Sequence, residues 1–183
     1  MSGAHGHADH HGGDKRVALL ISVLALVLAF SETLGKSAQT AALAYNVEAS
    51  NLWAFFQAKT IRQTTLRTAA EELELLATSE NAKKQVAKWR ETAQRYQNEP
   101  ETNEGREQLA ARAKQAEKRH NTSLAAYHHY ELASAAVQIG IVLASASIIA
   151  TMPVLAWAAG VLGLVGVAFC AIGFFAPTAV HLF

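Results

Sequence analysis

A long apolar segment without charges near the C-terminus constrains this chain more than any other feature. Residues 132–180 contain no Lys, Arg, Asp or Glu. A single membrane crossing needs about 20 apolar residues, so this segment is long enough for two crossings. The Thr-Met-Pro sequence at 151–153 lies near its middle and supplies the turn between them. The pattern predicts two transmembrane helices, over 131–152 and 153–176.

A second apolar segment, over 17–30, begins directly after two basic residues. No small-residue cleavage pattern follows it, which favours an uncleaved anchor over a removed signal sequence. A crossing of about 20 residues has to include Glu32, whose carboxylate can extend to the membrane interface. The segment therefore predicts a first transmembrane helix over 15–36, and a re-entrant or strongly mismatched helix is the alternative.

The overall composition fits a few membrane spans joined to a polar domain. The chain has 183 residues, of which 51% are hydrophobic, yet its mean hydropathy is only +0.10. Lys and Arg number 16 against 15 Asp and Glu, so no basic excess indicates nucleic-acid binding. The single cysteine, Cys170, excludes a disulfide framework and a Cys-based zinc site. No phosphate loop, HExxH motif or dinucleotide turn is present, so the sequence predicts neither an enzyme nor a cofactor.

The segment 37–130 between the apolar regions is rich in helix-forming residues. In its first part, apolar residues recur at alternating steps of four and three, a heptad repeat that we call the heptad seam. The repeat is continuous only if Lys59 and Gln63 occupy two of its positions. Breaks at 78–81 and 98–100 separate the seam from two shorter ones. The predicted fold is therefore all-α: one N-terminal and two C-terminal transmembrane helices flank an antiparallel helical-hairpin or coiled-coil domain.

Basic residues are distributed unequally around the apolar segments. The side of the central domain carries more of them than the short turn or the C-terminal tail, namely Lys36, Arg112, Lys114, Lys118 and Arg119. Because Lys and Arg accumulate on the cytoplasmic side of membrane proteins, this asymmetry predicts a cytoplasmic central domain.

Both ends of the chain are predicted to be tails, over 1–14 and 177–183. The N-terminal tail consists mostly of Gly, His and Asp and has no apolar anchors, so we expect it to be disordered. Imidazole and carboxylate groups suit zinc, nickel or copper, and the candidate ligands are His5, His7, Asp9, His10 and His11. A mobile tail binds a metal weakly, and the alternative is a solvated low-complexity segment.

Several polar residues stand near the ends of the predicted spans: Glu32, His128, His129, Glu131 and Gln138. The first interpretation is that they simply end the spans at the membrane interface. The alternative is a proton- or cation-sensing cluster, because paired or buried histidines titrate near neutral pH. Gln138 lies inside the apolar segment, which predicts a hydrogen bond to a neighbouring helix.

Small residues recur at steps of three and four along all three apolar segments. In lipid, helices associate through the close packing of such residues, and the clearest candidates are Gly140, Gly163 and Gly166. The stripes predict a tight bundle in the bilayer, formed within one chain or between chains.

Three aromatic residues, Trp53, Phe55 and Phe56, form the densest apolar group in the central domain. They predict either the core of the hairpin or an anchor at the membrane interface. The first interpretation requires at least one ring to pack against the helix that returns around Arg112 to His120.

Two stretches carry a resemblance to a known family. LGKSAQTAALAYNVEASNLWAFFQAKTIRQT and HHYELASAAVQIGIVLASASIIA, with the His-rich start, resemble the bacterial family of the domain of unknown function 4337. The resemblance extends from Lys15 onward and is most specific over 46–64. It implies a small protein of the bacterial inner membrane with one N-terminal and two C-terminal spans. The family has no established activity, so no functional residue is transferred.

The leading functional hypothesis is a non-enzymatic membrane protein that acts as a scaffold or oligomerises through its central coiled coil. Its partners are then the lipid bilayer and either further copies of itself or another protein. The alternative is a small cation channel or a metal-responsive accessory protein that uses the His-rich tail and the region of Glu32, His128 and Glu131.

Overall fold

Helices make up nearly all of the chain that the structure describes. The computed structural model describes the backbone of residues 10–76 and 78–180, and the side chains of residues 15–76 and 78–180. Within these ranges no strand occurs. The four α-helices are α1 (His10–Leu76), α2 (Glu80–Gln97), α3 (Arg106–Ala150) and α4 (Pro153–Phe175). The predicted all-α fold is confirmed.

Local signals in the sequence coincide with several helix ends. Ser79 precedes α2 in an extended conformation, and its hydroxyl accepts a hydrogen bond from the backbone N–H of Ala82 at 3.2 Å. This bond satisfies one of the N–H groups that the first helical turn leaves unpaired. α2 ends before Pro100, because the residue before a proline is driven out of helical geometry. Pro153 begins α4, where its missing N–H costs no hydrogen bond.

Three helices, α1, α3 and α4, are long and apolar enough to cross a membrane. α1 begins at His10, ahead of the predicted first span. α3 ends at Ala150 and α4 at Phe175, close to the ends predicted for the second and third spans. The predicted tails extend over 1–9 and 181–183 as well, and these residues lie outside the described part of the chain.

The described chain divides into two compact units. The apolar unit contains α1 up to Ala42, α3 from Asn121, and α4; the central unit is Leu43–His120. Both boundaries lie inside helices, because α1 and α3 each continue from one unit into the other. The predicted limits of the central domain, 37–130, therefore do not coincide with helix ends.

The core of the apolar unit is built from small and branched side chains. Its buried members are Leu24, Val137, Ala144 and Ala159. A Cβ atom on Gly163 would lie 2.5 Å from Cδ2 of Leu24, and one on Gly140 would lie 3.2 Å from a carbonyl oxygen of α4. Gly166 faces Val137 in the same way. The three glycines lie where helices approach so closely that a larger side chain would have to displace a neighbour.

The core of the central unit follows the heptad seam of α1. Its buried positions are Ala49, Leu52, Lys59, Gln63 and Ala70. Lys59 and Gln63 thus occupy the two slots that the repeat required of them. α3 packs over part of this seam with Leu109, Ala113 and Ala116.

Side-chain contacts connect α1 to the other helices of the central unit in a regular order. Towards α2 and the loop after it, the pairs are Glu74 with Arg90, Gln63 with Ala93, and Lys59 with Glu99. Towards α3, they are Thr60 with Arg106, Trp53 with Glu117, and Tyr45 with Arg119. In both sets, the residue numbers decrease along α1 as the residue numbers of their partners increase.

Candidate functional site

Glu32 and Gln138 form a polar contact on the outer surface of the apolar unit. The Nε2 atom of Gln138 donates to Oε1 of Glu32 at 3.3 Å, and both side chains are exposed. A glutamine amide carries two N–H donors and a carboxylate has several acceptor sites. One hydrogen bond between them therefore leaves capacity for a further partner on this surface.

His128 and Glu131 form a second, separate contact. The Nδ1 atom of His128 lies 3.7 Å from Oε2 of Glu131, and the two residues are neighbours on one helical face. The contact is an ion pair only when the imidazole is protonated. Glu131 is exposed, so this pair lies on the surface of α3.

His129 points into the apolar unit instead. Its side chain is fully buried, and its ring stacks on Phe169 with 6.2 Å between the ring centres. Nε2 lies 3.1 Å from the carbonyl oxygen of Pro177. Because a carbonyl only accepts, Nε2 is the nitrogen that donates. Nδ1 is buried without a hydrogen-bond partner among the described residues. The five polar residues predicted near the span ends thus fall into three sets of contacts.

The predicted metal ligands lie at and beyond the limit of the described structure. His5, His7 and Asp9 are outside the described residues, and only the backbone of His10 and His11 is described. In the described part of the chain, no three His, Cys, Asp or Glu side chains are grouped so that they are able to hold a metal ion. Weak metal binding by the tail stays a prediction.

Lys59 is a buried charge in the seam of the central unit. Its Nζ atom lies 3.3 Å from Oε2 of Glu99 and 3.9 Å from Oε2 of Glu104. The ring centres of Phe55 and Tyr96 lie 5.2 and 5.8 Å from the same nitrogen. A buried charge is tolerated only when it is paired, so these contacts fasten the loop after α2 onto α1.

Glu99 is the acidic partner in this arrangement, and its environment favours the charged form. The Arg95 guanidinium, 3.1 Å away, and the Lys59 ammonium lower the pKa of the Glu99 carboxyl from its ordinary value of 4.5. The carboxylate therefore stays charged to more acidic pH than an isolated glutamate does.

Gln63 joins all three helices of the central unit. It is 2% exposed, and its Nε2 atom donates to the carbonyl oxygen of Ala93 at 2.9 Å. Its Oε1 atom accepts from Arg106, whose Nε donates to Thr60 at 2.9 Å. The sequence contains one signal for this network, which is a polar residue in a slot that the heptad reserves for buried side chains.

The aromatic group lies against the core of the central unit. Trp53 and Phe56 are half-buried there, with their ring centres 5.4 Å apart and nearly perpendicular. Nε1 of Trp53 donates to Oε1 of Glu117 at 2.7 Å, and the Arg106 guanidinium lies 5.0 Å from the Phe56 ring. Phe55 is exposed. These contacts correspond to the first interpretation, packing against the returning helix.

The family to which the chain is related follows from a comparison with family models. A model described as a domain of unknown function (DUF4337) matches residues 13–176. The chain belongs to this family. The match includes α2, α3, α4 and nearly all of α1, which confirms the resemblance found in the sequence. No curated protein and no solved structure matches the chain.

Proposed function

We propose that this DUF4337 protein is a membrane scaffold that self-associates through its central unit and catalyses no reaction. One observation carries the proposal: α1 and α3 each continue without a break from an apolar segment into the central unit. A protein built in this way carries its helical unit on the membrane helices themselves and needs no separate linker. In this proposal, the central unit is the part that contacts partners.

Insertion into a bilayer is supported by the surface of the apolar unit. Large apolar side chains are exposed on all three of its helices, among them Leu19, Phe30, Ile149, Trp157 and Phe175. Water-soluble monomers rarely expose apolar patches of this extent. Lipid chains solvate such side chains at no cost, so we infer that α1, α3 and α4 each cross the membrane once.

The order of contacts in the central unit supports an antiparallel hairpin. Glu74, near the end of α1, meets Arg90 of α2, and Tyr45 meets Arg119 at the other end of the unit. Helices that run in opposite directions produce this order. We therefore infer that α1 runs antiparallel to α2 and to α3, and that the three helices form a small coiled coil.

We further propose that the central unit lies in the cytoplasm, beneath a bacterial inner membrane. The excess of Lys and Arg on its side of the spans supports this orientation. Gln94 is exposed on α2, so Gln94→Cys provides a labelling site. An impermeant maleimide should label it only after the cells are permeabilised, and the chain with Cys170 alone is the control. Rapid labelling in intact cells would reverse the orientation.

Self-association is tested by the mass of the full chain in mild detergent. Light scattering coupled to chromatography, corrected for bound detergent, should give a particle that contains more than one copy. The mass should fall to that of one copy on dilution if the association is reversible. A single copy at every concentration would remove the scaffold proposal.

The Glu32–Gln138 contact favours one alternative, a small cation channel or metal-responsive accessory protein. A carboxylate on the outside of apolar helices would line a pathway if several copies surrounded it. Cation flux into liposomes that contain the purified protein distinguishes the two functions. The alternative requires a flux that Glu32→Gln abolishes, whereas the scaffold proposal expects none.

A further inference from the structure

The face of α1 opposite the buried seam carries a second seven-residue repeat. We call it the outer stripe, and it consists of Val47, Ala54, Ile61, Thr68 and Leu75, all of which are exposed. Each residue of an α-helix advances by about 100°, so residues two positions apart point about 160° from each other. Every stripe residue lies two positions from a seam residue, as Val47 does from Ala49. The outer stripe therefore points away from α2 and α3.

Four of the five stripe side chains are apolar although they project into solvent. Val47, Ile61 and Leu75 are 59%, 67% and 87% exposed. The neighbouring threonines Thr64 and Thr65 donate their hydroxyls to backbone carbonyls of the preceding turn, at 3.0 and 2.9 Å. Because these hydroxyls are already bonded, the threonines present methyl groups. An open groove of about 530 Å³ lies along this part of the stripe.

Arg67 and Glu72, which carry opposite charges, lie on the two sides of the outer stripe, and Glu71 is a third charge beside it. Arg67 and Glu72 are exposed, and neither forms an ion pair with any residue that the structure describes. If stripe residues take heptad position a, Arg67 takes position g and Glu72 takes position e. In a parallel pair of identical helices, a g residue faces the e residue five positions later on the other helix. Arg67 of one copy then meets Glu72 of the second copy, and the reverse pair forms by symmetry.

We infer that the outer stripe binds the outer stripe of a second copy of this chain, parallel and in register. The charges favour this direction, because an antiparallel pair brings g against g, and a pair centred on this part of the stripe places Arg67 against Arg67. This inference rests on the proposed function, since two copies inserted in one membrane with the same topology present α1 in parallel. A heptad repeat with complementary flanks is self-complementary under a two-fold axis, which is what a symmetric dimer requires.

Charge reversal tests the direction and the partner together. In the full chain in detergent, Arg67→Glu and Glu72→Arg should each weaken the dimer about tenfold, because both symmetric pairs become repulsive. The double variant Arg67→Glu/Glu72→Arg should recover the affinity of the unaltered chain. Dilution of donor- and acceptor-labelled protein measures these dissociation constants. Unchanged single variants, or a double variant as weak as the single ones, would overturn the inference.

An apolar substitution tests the stripe itself against a matched control. Ile61→Glu places a charge at the centre of the stripe, while Ala111→Glu places the same charge on an exposed position of α3. The first should convert the dimer to a monomer and the second should not, with equal helicity by circular dichroism. A dimer that tolerates Ile61→Glu would overturn this inference and leave the proposed function standing. An unaltered chain that is already monomeric would overturn both.

Discussion

Gly163 and Gly160 are two glycines of one helix with opposite surroundings. A Cβ atom on Gly163 would lie 2.5 Å from a methyl group of Leu24, whereas one on Gly160 would meet nothing within 4 Å. The repeat of small residues predicts Gly163 as a packing position, and the positions of the neighbouring helices show that Gly160 is not in a close approach. Gly163 therefore has a packing role, whereas Gly160 is a glycine of the same helix without one.

Gly163→Leu should lower the thermal unfolding temperature of the protein in detergent. Forcing a larger side chain into a filled site costs about 1–3 kcal/mol. Gly160→Leu adds the same side chain where there is open space and should unfold close to the unaltered chain. Circular dichroism at increasing temperature measures both. Equal unfolding temperatures for the two variants would show that Gly163 does not lie at a close contact.

Glu99 gives the central unit a pH dependence with a definite sign. Arg95 and Lys59 lower its folded-state pKa below the ordinary value of 4.5. Its contribution to stability is therefore complete above pH 4.5 and is lost as the pH falls through the lowered pKa. Glu99→Gln should unfold at a lower temperature than the unaltered chain near neutral pH, and this difference should vanish in acid.

Glu101→Gln is the control for that measurement. Glu101 is exposed in the same loop, and its substitution should change the unfolding temperature little at any pH. A gap between Glu99→Gln and the unaltered chain that persists unchanged into acid would mean that charge is not the source of the stabilisation.

At the scale of helices, α1 shows what periodicity can and cannot predict. The heptad seam predicted the buried face correctly, including the polar slots at Lys59 and Gln63. It did not predict their partners, because Glu99 and Arg106 come from a loop and a later helix whose positions depend on the whole unit. The outer stripe was not predicted, because the heptad seam is the more apolar of the two repeats on α1 and was taken as its packing face.

The continuity of α1 was also not predicted. Gly35 and the charged residues around it mark a change in composition, which predicts separate segments that end at 36 and begin at 37. A glycine costs a helix only about 1 kcal/mol, and tertiary packing outweighs this. In the structure, Gly35 lies against Tyr130, where a Cβ atom would be 3.4 Å from the tyrosine Cβ. This is an ordinary van der Waals distance, so position 35 packs against α3 within a continuous helix and the glycine does not end it.

Gln63→Leu should destabilise the central unit despite its similar size. The substitution leaves the carbonyl of Ala93 and the guanidinium of Arg106 without the buried partner they have now. Leaving buried polar groups unpaired costs about 1–3 kcal/mol. Gln115→Leu, on an exposed position of α3, is the control and should be nearly neutral. Chemical denaturation measures the difference, and a Gln63→Leu variant as stable as the control would show that the network contributes nothing.

At the scale of the whole molecule, the charge-free segment after Glu131 predicted two apolar helices and the segment 17–30 predicted another. The described part of the chain contains three helices that are long and apolar enough to cross a membrane. Function is not predictable in the same way, because the family carries no assigned activity and the polar residues of the apolar unit do not converge on one site. The position of Gln138 predicted a hydrogen bond to a neighbouring helix but not its partner Glu32, because the partner depends on which faces of two distant helices meet. What the structure adds is an exposed surface, the outer stripe, which we propose binds a second copy.

Oxidative cross-linking in native membranes shows whether the α1 helices of two copies lie side by side. Thr68 lies on the outer stripe, so Thr68→Cys places a thiol where two parallel, in-register copies of α1 meet. We predict a disulfide-linked dimer on oxidation for this variant. Ala111→Cys, exposed on α3, and the unaltered chain with only Cys170 should stay monomeric under the same conditions. A Thr68→Cys variant that remains monomeric while it is folded and inserted would contradict a membrane scaffold assembled through α1.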